Sequence, residues 1–363
     1  MNSRPLLLAA LLFAASACTP SLTPLVDCNT HDGAQPLCGY QNPEDLALLP
    51  SGRGLLVSEF GHLASAEPGQ ISRLDLRDDA KHVLFRPGDA DGAEPSPGWG
   101  DPACPGPPDG FSPHGIDLVE RSDGRYALLV VNHAGRESIE FFEVGNPHGA
   151  AQLTWRGCAV PPEGAWLNDV AARRDGGFVV SHMIPRRGEV GQIWEFVKAD
   201  LLGRRTGHVL DWSPGAGFTR VPGSEASFAN GVELSADETV LFVNANLGDR
   251  VFAVDLASGE TLGEAEVAAP DNSTWAPDGR LLVASLTAPT GELLACGEIE
   301  EGSCPASFAI VAVDPESFAS EVLYRSDGVT MGAGTVGLLV GDALYVGTFA
   351  GDRILRVHDV AGR

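Results

Sequence analysis

The chain has 363 residues, and its 24 Lys and Arg against 49 Asp and Glu give a formal net charge of −25. It has two lysines, Lys81 and Lys198, so it lacks the basic stripe that neutralises phosphates, and nucleic acid is excluded as a partner. A hydrophobic content of 44% with 20% charged residues excludes a disordered chain or a coiled coil and is enough for a sizeable core.

The first predicted element is an export signal. Residues 1–17 contain one basic residue, Arg4, an apolar run from Leu6 to Ala15, and small residues before Cys18. The run is shorter than the roughly 20 residues that span a bilayer. The pattern is typical of a bacterial lipoprotein signal with Cys18 as the lipidated first residue of the mature chain, and ordinary secretory cleavage nearby is the alternative. We expect an exported protein that contacts a bacterial membrane through its lipid anchor only and faces the periplasm or the cell surface, with an outer-membrane address if the host is Gram-negative.

Residues 18–40 are rich in Pro, Thr and Asp without periodicity, which predicts a tether after the anchor. Six further cysteines follow Cys18, and an even number in an exported chain indicates disulfides. Spacing favours Cys28–Cys38 and Cys296–Cys304 and leaves Cys104–Cys158, although six cysteines allow 15 pairings in principle. None forms a CxxC pair, which argues against zinc and thioredoxin-like redox chemistry.

From residue 41 to residue 360 one pattern returns six times: a short polar pair, an alternating apolar strand, a turn with Asp or Gly, and a second apolar strand. Hairpins repeated without helical periodicity predict radial sheets. We therefore predict an all-β, six-bladed β-propeller with four-stranded antiparallel blades. A two-sheet sandwich is the alternative, but it does not require the same polar opening in each repeat. The copies open at intervals of 41 to 70 residues, at Glu44, His114, Asn168, Asn230, Asp271 with Asn272, and Thr335.

These openings suggest a metal site. The innermost strand of each propeller blade lines the central channel, so residues that open those strands meet at one end of it. Carboxylates of Glu44 and Asp271 and amides of Asn168, Asn230 and Asn272 are the oxygen donors that Ca²⁺ prefers. The alternative is that each residue makes a local turn hydrogen bond, which explains one or two of them better than the recurrence.

The segment FSPHGIDLVERSDGRYALLVVNHAGRESIEFFEV, from Phe111 to Val144, resembles the serum paraoxonases and arylesterases, Ca²⁺-dependent lactonases within the gluconolactonase-like propellers. Further matches are PED at 43–45, LND at 167–169, FANG at 228–231, DN at 271–272 and GTV at 334–336. The resemblance covers roughly residues 40–358. PHGI followed by VVNH is the specific part of it.

The resemblance implies two Ca²⁺ ions. The catalytic ion would be held by Glu44, Asn168, Asn230, Asp271 and Asn272. The structural ion would be held by Asp45, Asp169 and the backbone carbonyl of Ile116, because neighbouring residues of a strand point in opposite directions. A turn or cap is the alternative for Asp45 and Asp169.

The resemblance also implies a catalytic pair, His114 and His133, in which one imidazole supports the other as it takes a proton from water. The alternative for His133 is a strand-end residue bonded to backbone. His182, at the end of another hairpin, is interpreted as a pocket wall. The paraoxonases tie their N-terminal region to the last strand by a disulfide. This chain has no cysteine after Cys304, so we expect closure by strand pairing alone.

The function predicted from these residues is hydrolysis of lactones, aryl esters or both, which makes the protein a carboxylic-ester hydrolase with a small-molecule substrate. Two alternatives remain open: a sugar-lactone hydrolase of the gluconolactonase type, and a non-catalytic surface propeller that binds a protein or glycan. No GxSxG, HExxH or GxxxxGK[ST] motif occurs, which excludes the corresponding nucleophile, zinc and phosphate-loop enzymes. The sequence determines neither the natural substrate nor the oligomeric state.

Overall fold

The computed structural model describes residues 20–61 and 67–360. The predicted signal and the predicted lipidation site, Cys18, lie outside the described residues. Six four-stranded antiparallel sheets form in the described ranges, and their innermost strands contact one another in a closed circle. The predicted six-bladed propeller is confirmed. Neither of the two helices in these ranges has the length and apolar character needed to cross a bilayer.

The six repeats found in the sequence are the two innermost strands of each blade, and the chain adds two outer strands to each hairpin. Helix α1 (Glu189–Asp200) lies between the second and third strands of blade 3, and α2 (Thr290–Cys296) occupies the same place in blade 5. The strands, from the channel outward, are: in blade 1, β2 (Pro43–Leu48), β3 (Gly54–Glu59), β4 (Gln70–Asp75) and β5 (Lys81–Phe85); in blade 2, β6 (Pro113–Glu120), β7 (Tyr126–Asn132), β8 (Ser138–Gly145) and β9 (Gln152–Ala159); in blade 3, β10 (Leu167–Ala172), β11 (Phe178–His182), β12 (His208–Ser213) and β13 (Gly217–Arg220); in blade 4, β14 (Ala229–Leu234), β15 (Val240–Ala245), β16 (Arg250–Asp255) and β17 (Thr261–Glu266); in blade 5, β18 (Pro270–Trp275), β19 (Leu281–Leu286), β20 (Phe308–Val313) and β21 (Ser320–Ser326); in blade 6, β22 (Gly334–Val340), β23 (Ala343–Thr348), β24 (Arg353–His358) and β1 (Ala34–Cys38).

The core lies between the blades. Each of the six junctions has its own cluster of buried apolar side chains, because both faces of every twisted sheet pack against a neighbour. At the junction of blades 2 and 3, for example, Phe178 stacks on Trp212 with ring centroids 5.2 Å apart, and Phe141 packs edge-on against both. The blades are therefore held in place largely by their sides, which leaves the channel free for polar residues.

The propeller closes through its N-terminal strand. Strand β1 pairs antiparallel with β24, with Ala34 opposite Val357 and Cys38 opposite Arg353, so the first strand in sequence completes the last blade. Closure by strand pairing is confirmed. The closed domain thus begins within residues 18–40, the segment interpreted from sequence as a tether.

Three disulfides lie in the described part of the chain. They join Cys28 to Cys38, Cys104 to Cys158, and Cys296 to Cys304, which are the pairings that spacing favoured. The second has the longest span, 54 residues, and fixes the loop before blade 2 to the outer strand of that blade.

A register shift interrupts every innermost strand close to its first residue. A β-bulge of this kind leaves a residue unpaired in the ladder and redirects its side chain. The interruptions contain, blade by blade, Glu44, His114, Asn168, Asn230, Asp271 with Asn272, and Thr335. The bulges therefore place all six predicted openings at the same end of the channel.

Two glycines let neighbouring bulges approach closely. A Cβ on Gly115 would lie 2.5 Å from Asp169 Oδ1, and a Cβ on Gly231 would lie inside contact distance of the Asp271 carbonyl. Both glycines directly follow a predicted site residue. The glycines of PHG and ANG are therefore needed where one blade's bulge meets the next.

Candidate active site

The predicted metal ligands form a connected group at the channel end. Asn272 Nδ2 donates to Glu44 Oε1 at 2.9 Å, and the Asn230 amide donates to the Asp271 carboxylate. Asn168 Nδ2 lies 3.4 Å from His114 Nε2, which is 3.5 Å from Glu44 Oε1. The structure therefore brings all five predicted ligands of the first ion together with His114. We call Glu44, Asn168, Asn230, Asp271 and Asn272 the oxygen ring.

Four members of the oxygen ring have a buried oxygen without a hydrogen-bond partner: Glu44 Oε2 and the Oδ1 atoms of Asn168, Asn230 and Asn272. The three amide nitrogens, in contrast, are used by neighbouring groups. Leaving a buried acceptor unpaired costs about 1–3 kcal/mol, so four such atoms in one ring require an explanation. Buried oxygen atoms without protein donors fit a hard cation such as Ca²⁺.

The charge of the oxygen ring also fits a bound cation. Burial, followed by the charge of Glu44, raises the pKa of Asp271 well above its usual range. Burial lowers the pKa of His114, but the nearby carboxylates of Glu44 and Asp271 outweigh it, and the net pKa is raised. Within residues 20–61 and 67–360, no group of three or more His, Cys, Asp or Glu side chains is arranged to hold a metal. The oxygen ring is a different kind of set, because three of its five members are amides.

The predicted ligands of the second ion are also adjacent, but their oxygens are already bonded. Asp45 accepts the N–H groups of Leu46 at 2.8 Å and of Ile116 at 2.7 Å. Asp169 accepts those of Val170 at 2.8 Å and of Val232 at 2.9 Å. Each carboxylate thus joins its own bulge to the innermost strand of the next blade. Burial raises the pKa of both groups well above the usual range, with neighbouring carboxylates adding to it.

The two predicted catalytic histidines are in direct contact. His114 Nδ1 lies 2.8 Å from His133 Nε2, although 19 residues separate them, because β6 and β7 are antiparallel neighbours. Phe60 packs edge-on against the ring of His114, with centroids 5.2 Å apart, and lies 5.8 Å from that of His133. The side chain of His114 is 16% exposed, so the pair is enclosed but reachable from the channel end.

A third residue that sequence analysis did not single out extends the pair. Glu137 Oε1 lies 3.0 Å from His133 Nδ1 and accepts the Leu167 N–H at 2.7 Å. Its Oε2 accepts a hydrogen bond from Arg186 at 3.1 Å. Only the spacing of four residues from His133 could have indicated Glu137, and in a loop that spacing carries no fixed geometry.

The remaining residues of the matched segment support the loop that carries Glu137. Asn132 accepts the Ser112 N–H and donates to the carbonyls of Ala134 and Arg136. Glu140, fully buried, accepts hydrogen bonds from Ser138 at 2.6 Å, Trp155 at 2.7 Å and Arg136 at 2.9 Å. The loop 133–137 is therefore fixed at both ends by buried side chains.

Two cavities that are lined by residues singled out from the sequence lie apart from the oxygen ring. One, of about 150 Å³, is lined by Asp45, Asp117, Asp169 and Glu233, further along the channel. Burial raises the pKa of Asp117 to about 6. Like Asp45 and Asp169, Asp117 accepts a backbone N–H of the next blade, that of Ala172, at 2.7 Å.

The other cavity, of about 230 Å³, is lined by His182 and His208, whose ring centroids are 4.8 Å apart. His182 Nδ1 accepts the Trp166 N–H at 3.0 Å, and His182 is a wall of this cavity rather than of the oxygen ring. Burial lowers the pKa of His208 to about 4, and the charges of His182 and Arg220 add to the effect.

A model of one known protein family matches the middle of the chain. Residues 123–287 match the model of the SMP-30/gluconolactonase/LRE-like region. The matched stretch contains His133, Asn168, Asn230, Asp271 and Asn272, while Glu44 and His114 precede it. The match supports a relationship with that broad family and does not single out the paraoxonases. No curated protein sequence matches the chain.

Solved structures share the fold at low sequence identity. A gluconolactonase from Xanthomonas campestris aligns over 94% of this chain and 98% of its own, with a TM-score of 0.53 and 15% identity. A luciferin-regenerating enzyme aligns over 93% and 95%, with a TM-score of 0.52 and 14% identity. The PQQ-bound aldose sugar dehydrogenase from Streptomyces coelicolor aligns over 93% and 99%, with a TM-score of 0.50 and 16% identity. Proteins of different chemistry thus share this propeller, and function has to be argued from the site.

Proposed function

We propose that this protein is a Ca²⁺-dependent hydrolase of lactones, aryl esters or both. The observation that carries the proposal is the oxygen ring, in which four buried oxygens lack hydrogen-bond partners next to a histidine pair with a 2.8 Å contact. The oxygens of Asp45 and Asp169 in the same channel are paired with backbone N–H groups, which sets the oxygen ring apart from them.

The five side chains of the oxygen ring would hold the catalytic Ca²⁺. When bound, the ion supplies a Lewis acid that polarises the substrate carbonyl and favours the negative charge that develops on its oxygen. Asp45, Asp169 and the Ile116 carbonyl would hold a second, structural Ca²⁺. That site has less support, because each carboxylate oxygen of the pair already accepts a backbone N–H.

The histidine pair would activate the attacking water. His114 Nε2 faces the oxygen ring and would take a proton from water as the water oxygen bonds to the carbonyl carbon. His133, in contact with the other nitrogen of His114, would support the positive charge that His114 then carries. The same proton would pass to the leaving oxygen as the ester bond breaks. Phe60, packed against both rings, limits their rotation.

A sugar-lactone hydrolase of the gluconolactonase type is the second candidate. It is favoured by the family match over residues 123–287 and shares the need for the oxygen ring. It does not require the contact between His114 and His133. The two candidates therefore differ in how strongly activity depends on the histidines.

The experiment is a hydrolysis panel of aliphatic lactones, aryl esters and sugar lactones, run with Ca²⁺ and after chelation. The chain from Thr19 onward keeps every strand of the closed propeller and would be used as wild type, Glu44→Gln, His114→Gln and, as control, His82→Gln at an exposed site on β5. We expect activity that disappears on chelation, falls about 10²-fold or more in His114→Gln, and is unchanged in His82→Gln. Ca²⁺-dependent turnover of sugar lactones that survives His114→Gln would support the second candidate. No turnover by folded protein would favour a binding propeller.

We also propose that the protein is exported and anchored by a lipid on Cys18. Three disulfides support an oxidising compartment. Labelling with a radioactive fatty acid tests the anchor: we expect label on the wild type and none on Cys18→Ala. Label on both proteins, or on neither, would contradict it.

A further inference from the structure

A line of hydrogen bonds runs from Glu137 to the oxygen ring. Glu137 lies 3.0 Å from His133 Nδ1, His133 Nε2 lies 2.8 Å from His114 Nδ1, and His114 Nε2 lies 3.4 Å from Asn168 Nδ2. Each imidazole thus uses both nitrogens in this line. The line joins blade 2 to blade 3, because Asn168 belongs to β10, and it begins at a carboxylate.

The direction of the hydrogen bonds follows from that carboxylate. An ionised carboxylate only accepts, so the proton between Glu137 and His133 lies on His133 Nδ1. A neutral imidazole carries one N–H, which leaves His133 Nε2 as an acceptor. His114 Nδ1 must therefore carry the proton that bonds to it. His114 Nε2 is then the nitrogen that keeps its lone pair, and it lies on the side of the oxygen ring, 3.4 Å from Asn168 Nδ2 and 3.5 Å from Glu44 Oε1.

Glu137 is itself held in place from the neighbouring blade. It accepts the backbone N–H of Leu167 at 2.7 Å and a hydrogen bond from Arg186 at 3.1 Å, and its side chain is 12% exposed. Leu167 is the residue before Asn168, a member of the oxygen ring. The carboxylate thus has a fixed position relative to the ring.

We propose that Glu137 is a positioning residue that sets the tautomers of His133 and His114 and so directs the basic nitrogen of His114 into the site. This inference rests on the proposed hydrolase function for its catalytic consequence, but the tautomers it assigns do not. Without the carboxylate, His133 and His114 can each carry the proton on either nitrogen. In half of the resulting combinations, two N–H groups or two lone pairs face each other between the rings. A fixed carboxylate behind a histidine has the same effect in serine hydrolases.

The test compares three proteins: wild type, Glu137→Gln and Glu140→Gln. Glu140 is the matched control, because it is a buried carboxylate that supports the same loop through Arg136 and Ser138. Long-range ¹H–¹⁵N spectra of histidine-labelled protein report which ring nitrogen carries the proton. Signals are assigned with His114→Gln and His133→Gln, and kcat and KM are measured in parallel.

In the wild type we expect both histidines as Nδ1–H tautomers. In Glu137→Gln we expect the Nε2–H form of His133 to become populated and kcat to fall about 10-fold or more with little change in KM. Glu140→Gln should lower the melting temperature and leave the tautomers as in wild type.

The proposal is overturned if wild-type His133 carries its proton on Nε2, a result that does not depend on the folding of Glu137→Gln. It is equally overturned if Glu137→Gln keeps both Nδ1–H tautomers, or if Glu140→Gln shifts them to the same extent. Absence of turnover in the wild type would refute the hydrolase proposal, while the spectra would still decide the role of Glu137.

Discussion

The oxygen ring predicts a specific coupling between one amide and Ca²⁺, which the Asn230→Leu variant measures. Leucine has the same branching and the same number of side-chain heavy atoms as asparagine, and it removes both the unpaired Oδ1 and the donor to Asp271. Without Ca²⁺ the two losses oppose each other, because removing an unpaired buried acceptor recovers about 1–3 kcal/mol and losing a hydrogen bond costs about 1 kcal/mol. With Ca²⁺ the variant loses a ligand and nothing offsets the loss.

The expected change in Tm follows from these free energies. Ca²⁺ at about 100 times its Kd stabilises the wild type by about 2.7 kcal/mol. The entropy of unfolding is about 2.1 cal/mol/K per residue, or about 0.7 kcal/mol/K for this chain, so the wild-type Tm should rise by about 4 °C. Loss of one ring oxygen removes about 2 kcal/mol of that gain, and we expect Asn230→Leu to gain only about 1 °C.

Differential scanning calorimetry of wild type and variant, each with Ca²⁺ and with chelator, measures the gain in Tm that Ca²⁺ gives each protein. Asn132→Ala is the matched control, because Asn132 is equally buried but has all its polar atoms hydrogen-bonded. It should lower the Tm equally in both conditions. A full wild-type gain in Asn230→Leu, or no gain in the wild type, would refute the assignment of the unpaired oxygens to a cation.

Three further predictions concern the stability of the propeller. Gly231→Ala should lower the free energy of unfolding by about 1–3 kcal/mol in urea titrations, because the added methyl meets backbone of the next blade, whereas Gly188→Ala, with open space around it, should change it little. Replacing Cys104 and Cys158 by Ala should cost about 2–5 kcal/mol in the same assay, and a midpoint equal to wild type would contradict this. Because the pKa of His208 is lowered to about 4, its imidazole is protonated in the unfolded chain but still neutral in the folded one as the pH falls from about 6.5 to 4. Between about pH 6.5 and 4 the free energy of unfolding of the wild type should therefore fall relative to that of His208→Gln by up to about 3 kcal/mol, or by about 1–2 kcal/mol once the partial exposure of His208 is taken into account. Parallel curves of unfolding free energy against pH for the two proteins would refute this prediction.

The residues of the oxygen ring could be predicted from sequence because each blade repeats the same opening, and the repeat aligns residues that are far apart in the chain. Glu44 and Asn272 are 228 positions apart, yet their side chains are hydrogen-bonded. What the pattern could not predict is the bulge in each innermost strand. A simple period of two explains why neighbouring residues diverge, but the register shift depends on pairing between strands.

Glu137 and strand β1 were missed for a related physical reason. The role of Glu137 depends on contacts with Leu167 and Arg186, which lie 30 and 49 positions away and belong to another blade. Strand β1 has five residues and no partner nearby in sequence, and its pairing with β24 exists only once the ring is closed. Local composition, with Pro36 in the segment, indicates a tether equally well.

Carboxylates along the channel show two behaviours, and the contrast separates fold from function. Asp45, Asp117 and Asp169 each accept a backbone N–H of the next blade, so burying them joins blades 1 to 2, 2 to 3 and 3 to 4. Glu44, one residue before Asp45, leaves an oxygen unpaired at the channel end. Since the same strand supplies both residues, lack of donors in the fold does not explain the difference. Six apolar junctions between blades stabilise the propeller enough to tolerate a ring of unpaired oxygens, which is the arrangement that the proposed cation site requires.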